Sequence, residues 1–199
     1  MRPLKKYLEK IYAARYFWSY LAGAELRNKF RRSKLGILWT FISPLVLTAI
    51  MSVVFSTVFH SPIVDYAPYI LSGILFWEIF SGSFVGGASI FIANDGYIKQ
   101  FNHPITIYTL KSSIVYCISF MIAMISLGLW VIVINPQNFI LGLVTLPLTV
   151  LIYFILSWSA TTIAAFTNTK YRYYPQMMPL ILQVFWYLSP VFFQQEMFE

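Results

Sequence analysis

A cluster of positive charge runs directly into a long uncharged apolar segment, and this junction constrains the fold most strongly. Five cations fall within positions 27–34: Arg27, Lys29, Arg31, Arg32 and Lys34. No charged residue follows before Asp65, and the apolar run at 35–59 contains 25 residues. As a helix this run would be about 37 Å long, enough to cross a ~30 Å hydrocarbon core with some tilt. Because basic residues accumulate beside the cytoplasmic end of a span, we expect the run to begin in the cytoplasm.

The composition excludes a soluble domain. Hydrophobic residues make up 59% of the chain and charged residues only 11%, whereas soluble domains carry about 25% charged residues. Ten of the fourteen Lys and Arg residues, which underlie the net charge of +7, lie in residues 1–34. Beside a membrane span, such charges favour contact with membrane lipids, and no nucleic acid partner is expected.

Residues 1–34 are predicted to form a cytoplasmic basic amphipathic segment, followed by a transmembrane domain at 35–199. Within residues 4–22, apolar side chains recur at three- and four-residue spacing, and most of the charges fall on the other side. This pattern is typical of a helix lying in the membrane surface, although packing on a partner protein is an alternative. A short basic elbow at 25–34 is expected to lead into the first span.

Five apolar runs predict an all-α, polytopic helical membrane protein, with spans at about 35–59, 66–93, 105–134, 139–166 and 175–193. The predicted interior segments hold all fourteen cations, and the predicted outer turns at 60–65, 135–138 and 194–199 hold none. This distribution predicts a cytoplasmic N-terminus. Five spans would end the chain on the outside, so we expect a sixth helix to be missing from this chain.

Three features inside the spans predict local structure. Pro44 should kink the first helix, because it removes one backbone hydrogen bond. The Gly82-x-x-x-Gly86 pattern predicts close packing of the second helix on a neighbouring helix, with ordinary membrane glycine usage as the alternative. Lys111 lies near the start of the third span, from which its side chain could extend to the interface.

The sequence offers no catalytic constellation. It lacks the P-loop pattern, so it cannot bind ATP in that way. His60 and His103 fall on opposite sides of the predicted topology, and Cys117 is the only cysteine, so neither a metal site nor a disulfide is expected. We expect no enzyme activity and no cofactor in this chain.

Glu78 and the aromatic residues near it are the candidate channel residues. Glu78 lies about 18 Å along the second helix, where a carboxylate costs on the order of 3 kcal/mol unless it faces a cavity, a partner or a proton. A structural, protonated glutamic acid is the alternative. Aromatic rings can stack on sugars, but a lipid-facing or core position is the alternative for each. The candidates are Phe76, Trp77, Glu78, Phe80 and Phe84.

Four motifs resemble the ABC-2 type permeases that export bacterial polysaccharides such as O-antigen, capsule and teichoic acid. The first is Arg31-Arg32-Ser33-Lys34-Leu35-Gly36-Ile37-Leu38-Trp39, with Pro44 following. The others are Leu71-Ser72-Gly73-Ile74-Leu75-Phe76-Trp77, the stretch from Asn94-Asp95-Gly96 to Pro104, and Phe185-Trp186-Tyr187-Leu188-Ser189-Pro190. Together they cover most of the chain.

The resemblance implies the ABC-2 type exporter fold: six helices per permease after an interfacial helix. It also implies that two copies of the permease pair with two separate cytoplasmic ATPase subunits, which hold the ATP and Mg²⁺. The segment 94–104 would dock on the ATPase, through Asn94, Asp95, Tyr97, Lys99, Phe101 and His103. Arg27, Arg31, Arg32 and Lys34 would meet the pyrophosphate of a lipid-linked glycan, because charge-assisted bonds to phosphate are strong. A solvated or lipid-bound role is the alternative for these cations.

The expected function is therefore the transmembrane subunit of an ATP-driven exporter of lipid-linked polysaccharide in the bacterial inner (cytoplasmic) membrane. A related ABC-2 exporter of drugs or lipids is the alternative within transport. A membrane glycosyltransferase or acyltransferase would need acidic or His residues clustered at one membrane face, which the sequence lacks. A non-catalytic assembly factor would need neither Glu78 in the membrane nor an ATPase partner.

Overall fold

The computed structural model describes residues 2–31, 34–59, 62–134, 136–189 and 191. These residues form nine α-helices: α1 Arg2–Ala13, α2 Arg15–Arg31, α3 Trp39–Phe59, α4 Ile63–Gly87, α5 Ile90–Ala93, α6 Asp95–Gln100, α7 Thr106–Ile134, α8 Pro136–Lys170 and α9 Tyr174–Leu188. Arg32, His60 and the end of the predicted fifth span beyond residue 191 lie outside the described residues. The all-α, polytopic helical fold that the sequence predicts is confirmed.

Four segments are long and apolar enough to cross a membrane: Gly36–Thr57, Tyr66–Gly87, Thr106–Ile134 and Phe139–Lys170. They coincide with the first four predicted spans. The 15 residues of α9 would extend over about 22 Å at 1.5 Å per residue, which is shorter than the hydrocarbon core. The fifth span therefore stays a prediction.

The N-terminal region consists of two helices that meet at Ala14. α2 continues as a helix to Arg31, across most of the segment that the sequence predicts as an elbow. This continuation is physically reasonable because residues 25–31 contain neither glycine nor proline. The reversal into α3 then uses Gly36, whose φ of 46° lies in the left-handed region that glycine adopts without steric cost. Within α3, Pro44 lies inside a continuous helix.

The four spanning segments pack together mainly through contacts among α4, α7 and α8. Side chains of α8 pack against the centre of this bundle. The centre is formed by buried apolar residues of α4 and α7: Leu71, Leu75, Ile79, Cys117 and Phe120. Hydroxyl groups join the helices across the bundle, with 2.7 Å between Ser83 and Ser157 and 2.8 Å between Thr109 and Thr162. Small residues and interhelical hydrogen bonds are the usual means of helix association in membranes.

The second predicted span contains a break after Gly87, where α4 ends and the short α5 begins. A helix end leaves carbonyl groups without an intrahelical partner. The Asn168 side chain of α8 donates a 2.8 Å hydrogen bond to the carbonyl of Ala88. A residue of the neighbouring helix therefore supplies the hydrogen-bond donor for a carbonyl group at the break between α4 and α5.

The glycine stripe of α4 faces α7, as the Gly-x-x-x-Gly pattern predicts. A methyl group at Gly82 would lie 3.9 Å from the Tyr116 ring, and one at Gly86 would overlap the Tyr116 hydroxyl. The second glycine therefore provides the space that the phenol occupies between the two helices.

Replacing Gly86 with alanine is expected to lower the free energy of unfolding by about 1 kcal/mol, because the Tyr116 hydroxyl must move. The measurement is thermal unfolding of the purified protein in detergent. In a Tyr116→Phe background the hydroxyl is gone, so the same alanine should cost less. An equal cost in both backgrounds would contradict this close contact.

Candidate functional site

The predicted docking segment, residues 94–104, packs its aromatic side chains on the N-terminal region. Phe17 of α2 lies at the centre of this cluster. Its ring centroid lies 4.9 Å from that of His103, 5.2 Å from that of Phe101 and 6.3 Å from that of Tyr97. Such separations are typical of favourable aromatic pairs. The structure therefore brings together three of the six predicted docking residues, around a residue that the sequence did not single out.

The other three docking residues take different positions. Asn94 is buried and donates a 2.7 Å hydrogen bond to the Ile90 carbonyl, which links α5 to α6. Asp95 and Lys99 form a 2.6 Å ion pair on the exposed side of α6. Segment 94–104 thus has one aromatic face against α2 and one exposed charged face.

The candidate channel aromatics divide between two sides of α4. The Phe76 ring stacks on Tyr153 of α8 at 4.7 Å and lies 5.3 Å from Phe120 of α7, within the bundle. Trp77, by contrast, contacts Trp186 of α9 at 5.1 Å and Phe80 at 5.6 Å, and Phe84 follows at 5.1 Å from Phe80. Trp77, Phe80 and Phe84 line a cleft of about 330 Å³ between α4 and α9.

The described cations of the charge cluster are all exposed, and one of them, Lys29, also contacts α7. Arg27, Arg31 and Lys34 are exposed, as expected for groups that meet lipid or a charged substrate, and Arg32 lies outside the described residues. Lys29 is also exposed, but its ammonium reaches α7 and donates a 2.8 Å hydrogen bond to the Ser119 hydroxyl. Burial lowers the pKa of Lys29, and the negative charges of Glu78 and Glu25 oppose that change.

Lys29 and Glu78 line one cavity of about 490 Å³ between α2, α3, α4 and α7. Its walls carry aromatic rings and hydroxyl groups as well as these two charges: Phe30, Trp39, Phe120, Thr40, Ser43, Ser81, Tyr116 and Ser119. Glu78 therefore lines a cavity with both polar and apolar walls. The same residue also lines a smaller space of about 380 Å³ beside Trp77 and Trp186.

An ion pair also joins α2 to α7, one turn of α2 away from Lys29. The Lys111 ammonium lies 2.8 Å from the Glu25 carboxylate, and the Ser112 hydroxyl donates to the same carboxylate at 3.1 Å. The Lys111 side chain is only 8% exposed. The expectation that Lys111 extends to the interface is wrong, because α2 covers its end of α7 and supplies a partner.

Sequence reasoning missed Glu25 and Lys29 as two residues of α2 whose charged groups both contact α7. They are four positions apart, which places them on one face of a helix. The spacing was visible in the sequence. It indicates a shared face only if the segment is helical, and the sequence analysis predicts an elbow at 25–34. Ser119 and Tyr116 carry no such signal, because hydroxyl groups are ordinary in membrane helices.

Comparison with known proteins agrees with this architecture. The family model described as ABC-2 type transporter matches residues 16–199. An O-antigen export system permease protein RfbA of Klebsiella pneumoniae is 23% identical over 180 residues, which are 89% of this chain and 68% of the relative. A protein of the same description from Myxococcus xanthus is 23% identical over 196 residues, covering 94% of this chain and 71% of the relative. The matched segment contains the last part of the N-terminal region and all four spans, and the chain belongs to the ABC-2 type transporter family.

Proposed function

We propose that this chain is the transmembrane subunit of an ATP-driven exporter that moves lipid-linked polysaccharide outward across the bacterial inner membrane. The observation that carries the proposal is the similarity to O-antigen export permeases over most of the chain. The confinement of all fourteen cations to one side of the predicted topology supports a cytoplasmic N-terminus. In this role the chain does not catalyse ATP hydrolysis itself.

Two cytoplasmic ATPase subunits are proposed to bind a pair of these chains, one at each docking segment. The exposed face of α6, which carries Asp95 and Lys99, is accessible to such a subunit. Movement of this segment would reach α2 through the Phe17 cluster, and α2 contacts α7 through Glu25 and Lys29. The contacts thus offer a continuous mechanical connection from the ATPase side to the spans.

The translocation pathway is proposed to lie between two copies of the chain. The cleft of Trp77, Phe80 and Phe84 supports this assignment, because it presents flat aromatic faces that can stack on sugar rings. Phe76 is less suited to the pathway, since its ring packs within the bundle against α7 and α8. Glu78, the remaining candidate, lines a space of about 380 Å³ beside Trp77 and Trp186.

The exposed cations are proposed to make the first contact with the pyrophosphate of the lipid-linked substrate. Arg27, Arg31 and Lys34 are accessible for that role, and Arg32 is included by its position in the sequence. Guanidinium groups suit the role because they form bidentate bonds with phosphate oxygens. Lys29 is not included in this group, because its ammonium points toward α7 and donates to Ser119.

Replacing Lys99 with aspartate is expected to abolish co-purification of the ATPase subunit and polysaccharide export while leaving the permease folded. The side chain is 73% exposed, so loss of its surface ion pair should cost less than about 1 kcal/mol of stability. The charge reversal would nevertheless place two carboxylates on the docking face. The measurements are ATPase capture on the tagged permease and surface glycan in cells.

Lys170→Asp is the matched control, because Lys170 is an exposed cation at the end of α8, outside the docking segment. It should leave ATPase capture intact. Phe101→Asp, which disturbs the aromatic face as well, should also abolish capture. Normal capture and export by both docking-segment variants would contradict the docking role.

A further inference from the structure

The cavity beside α2 is lined by two opposite charges, Lys29 and Glu78, which attract each other but form no direct ion pair within the described residues. The Lys29 ammonium is fixed by Ser119 at 2.8 Å. Within the described part of the chain, the Glu78 carboxylate accepts no hydrogen bond and forms no ion pair, with Lys29 or with any other residue. Both groups nevertheless line the same space of about 490 Å³. The cavity therefore presents a cationic hydrogen-bond donor and an anionic hydrogen-bond acceptor that form no ion pair with each other.

Because the two groups form no direct ion pair, each can bind a group of opposite charge on a ligand in the cavity. A carboxylate within a span is costly unless it finds a partner, and polar side chains there mark binding sites by default. A ligand carrying only one charge would leave the other group uncompensated. A neutral ligand would compensate both only in part. The complementary ligand is one that carries an anionic and a cationic group a few atoms apart.

We propose that this cavity binds the headgroup of a zwitterionic aminophospholipid, with the phosphate on Lys29 and the primary ammonium on Glu78. The hydroxyl groups of Thr40, Ser43 and Ser81 line the same space and can bond the remaining phosphate and ammonium positions. The volume falls within the range of about 300–1,000 Å³ that is typical of small-molecule sites. The surrounding bilayer supplies such lipids directly at the cavity.

The apolar lining fits a lipid better than a free phosphate ester of the same charge. Leu75, Ile79 and Ala123 line the cavity beside the polar groups, and the helices that carry them are spanning segments. An acyl chain leaving the headgroup would pass along such a surface. This inference goes beyond polysaccharide export and does not rest on it, since lipid binding can be measured without transport.

The test is native mass spectrometry of the full-length protein, released from nanodiscs that contain equal amounts of phosphatidylethanolamine and phosphatidylglycerol. We expect the wild type to retain phosphatidylethanolamine about tenfold over phosphatidylglycerol, the effect of roughly one charge-assisted hydrogen bond. Glu78→Gln should reverse this preference, because the remaining cation then favours the anionic lipid. Lys29→Gln should lose the retained lipid altogether.

Lys10→Gln is the matched control: it removes an exposed cation of α1, outside the cavity, and should keep the wild-type preference. Ser43→Leu fills the cavity without changing charge and should also abolish retention, which covers the case that a charge variant fails to fold. Equal retention of both lipids by the wild type, Glu78→Gln and Lys29→Gln would overturn the proposal. So would binding of soluble phosphoethanolamine without any retained lipid.

Discussion

Replacing Glu25 with glutamine is expected to lower the free energy of unfolding by about 3 kcal/mol, because it leaves the Lys111 ammonium buried without its counter-charge. The Lys111 side chain is 8% exposed and that of Glu25 is 33% exposed. Partial access of water to Glu25 places the expected cost at the lower end of the range for broken buried pairs. The measurement is thermal or denaturant unfolding in detergent micelles.

Two further variants separate charge from packing. Lys111→Met in the Glu25→Gln background removes the stranded ammonium and should restore most of the lost stability, since apolar replacements of buried pairs are often tolerated. The Asp95–Lys99 pair is the matched control, because both side chains are more than half exposed. Asp95→Asn should cost less than about 1 kcal/mol. A Glu25→Gln cost no larger than this would contradict burial of Lys111 and favour its extension to the interface.

Replacing Gly87 with alanine is expected to destabilise the protein by about 3 kcal/mol, near the upper end of the usual cost of overpacking. A methyl group at this position would lie 2.9 Å from the Cα of Thr161 and 3.1 Å from its carbonyl oxygen. Both contacts are with the backbone of α8, which cannot move aside as a flexible side chain could. The added methyl must therefore separate α4 from α8 at the break that leads into α5.

Gly142→Ala is the matched control within α8, because a methyl group there meets no atom within 4 Å. Alanine favours a helix over glycine by roughly 0.5–1 kcal/mol, so this variant should be neutral or slightly stabilising. Thermal unfolding of the two variants, side by side, provides the measurement. If Gly87→Ala were as stable as Gly142→Ala, the close approach of α4 to Thr161 would be wrong.

The spans were predictable because their length and apolar composition must match the hydrocarbon core, which is a property of each segment alone. The glycine stripe at Gly82 and Gly86 was predictable for a similar reason, since only small residues allow two helices to approach closely. The partners of these glycines were not predictable. Nothing in the sequence indicates that Tyr116, on a different helix, fills the space that Gly86 leaves.

The polar pairs of the candidate site depend on contacts between distant parts of the chain. Glu25 and Lys111 are 86 residues apart, and Lys29 and Ser119 are 90 residues apart. Only the packing of α2 along α7 brings them together. From the sequence, the simplest interpretation of Lys111 is that its side chain extends from the end of the span to the membrane interface. The local sequence pattern does not indicate that another helix covers it.

Helix rotation explains why the candidate channel aromatics, predicted as one group, lie on two sides of α4. Phe76 and Trp77 are neighbours in sequence, but successive residues of a helix point about 100° apart. Phe76 consequently packs on Tyr153 and Phe120, whereas Trp77 packs on Trp186. The side of α4 that each ring occupies follows from the positions of α7, α8 and α9, which no single segment specifies.

The most direct test of the proposed function is affinity capture of the full-length protein from detergent-solubilised bacterial membranes. The bound fraction is analysed for a P-loop ATPase subunit and for glycan linked to lipid through pyrophosphate. The proposal predicts recovery of both together. Recovery of the ATPase without glycan would contradict polysaccharide as the substrate, and recovery of neither would contradict an ATP-driven exporter.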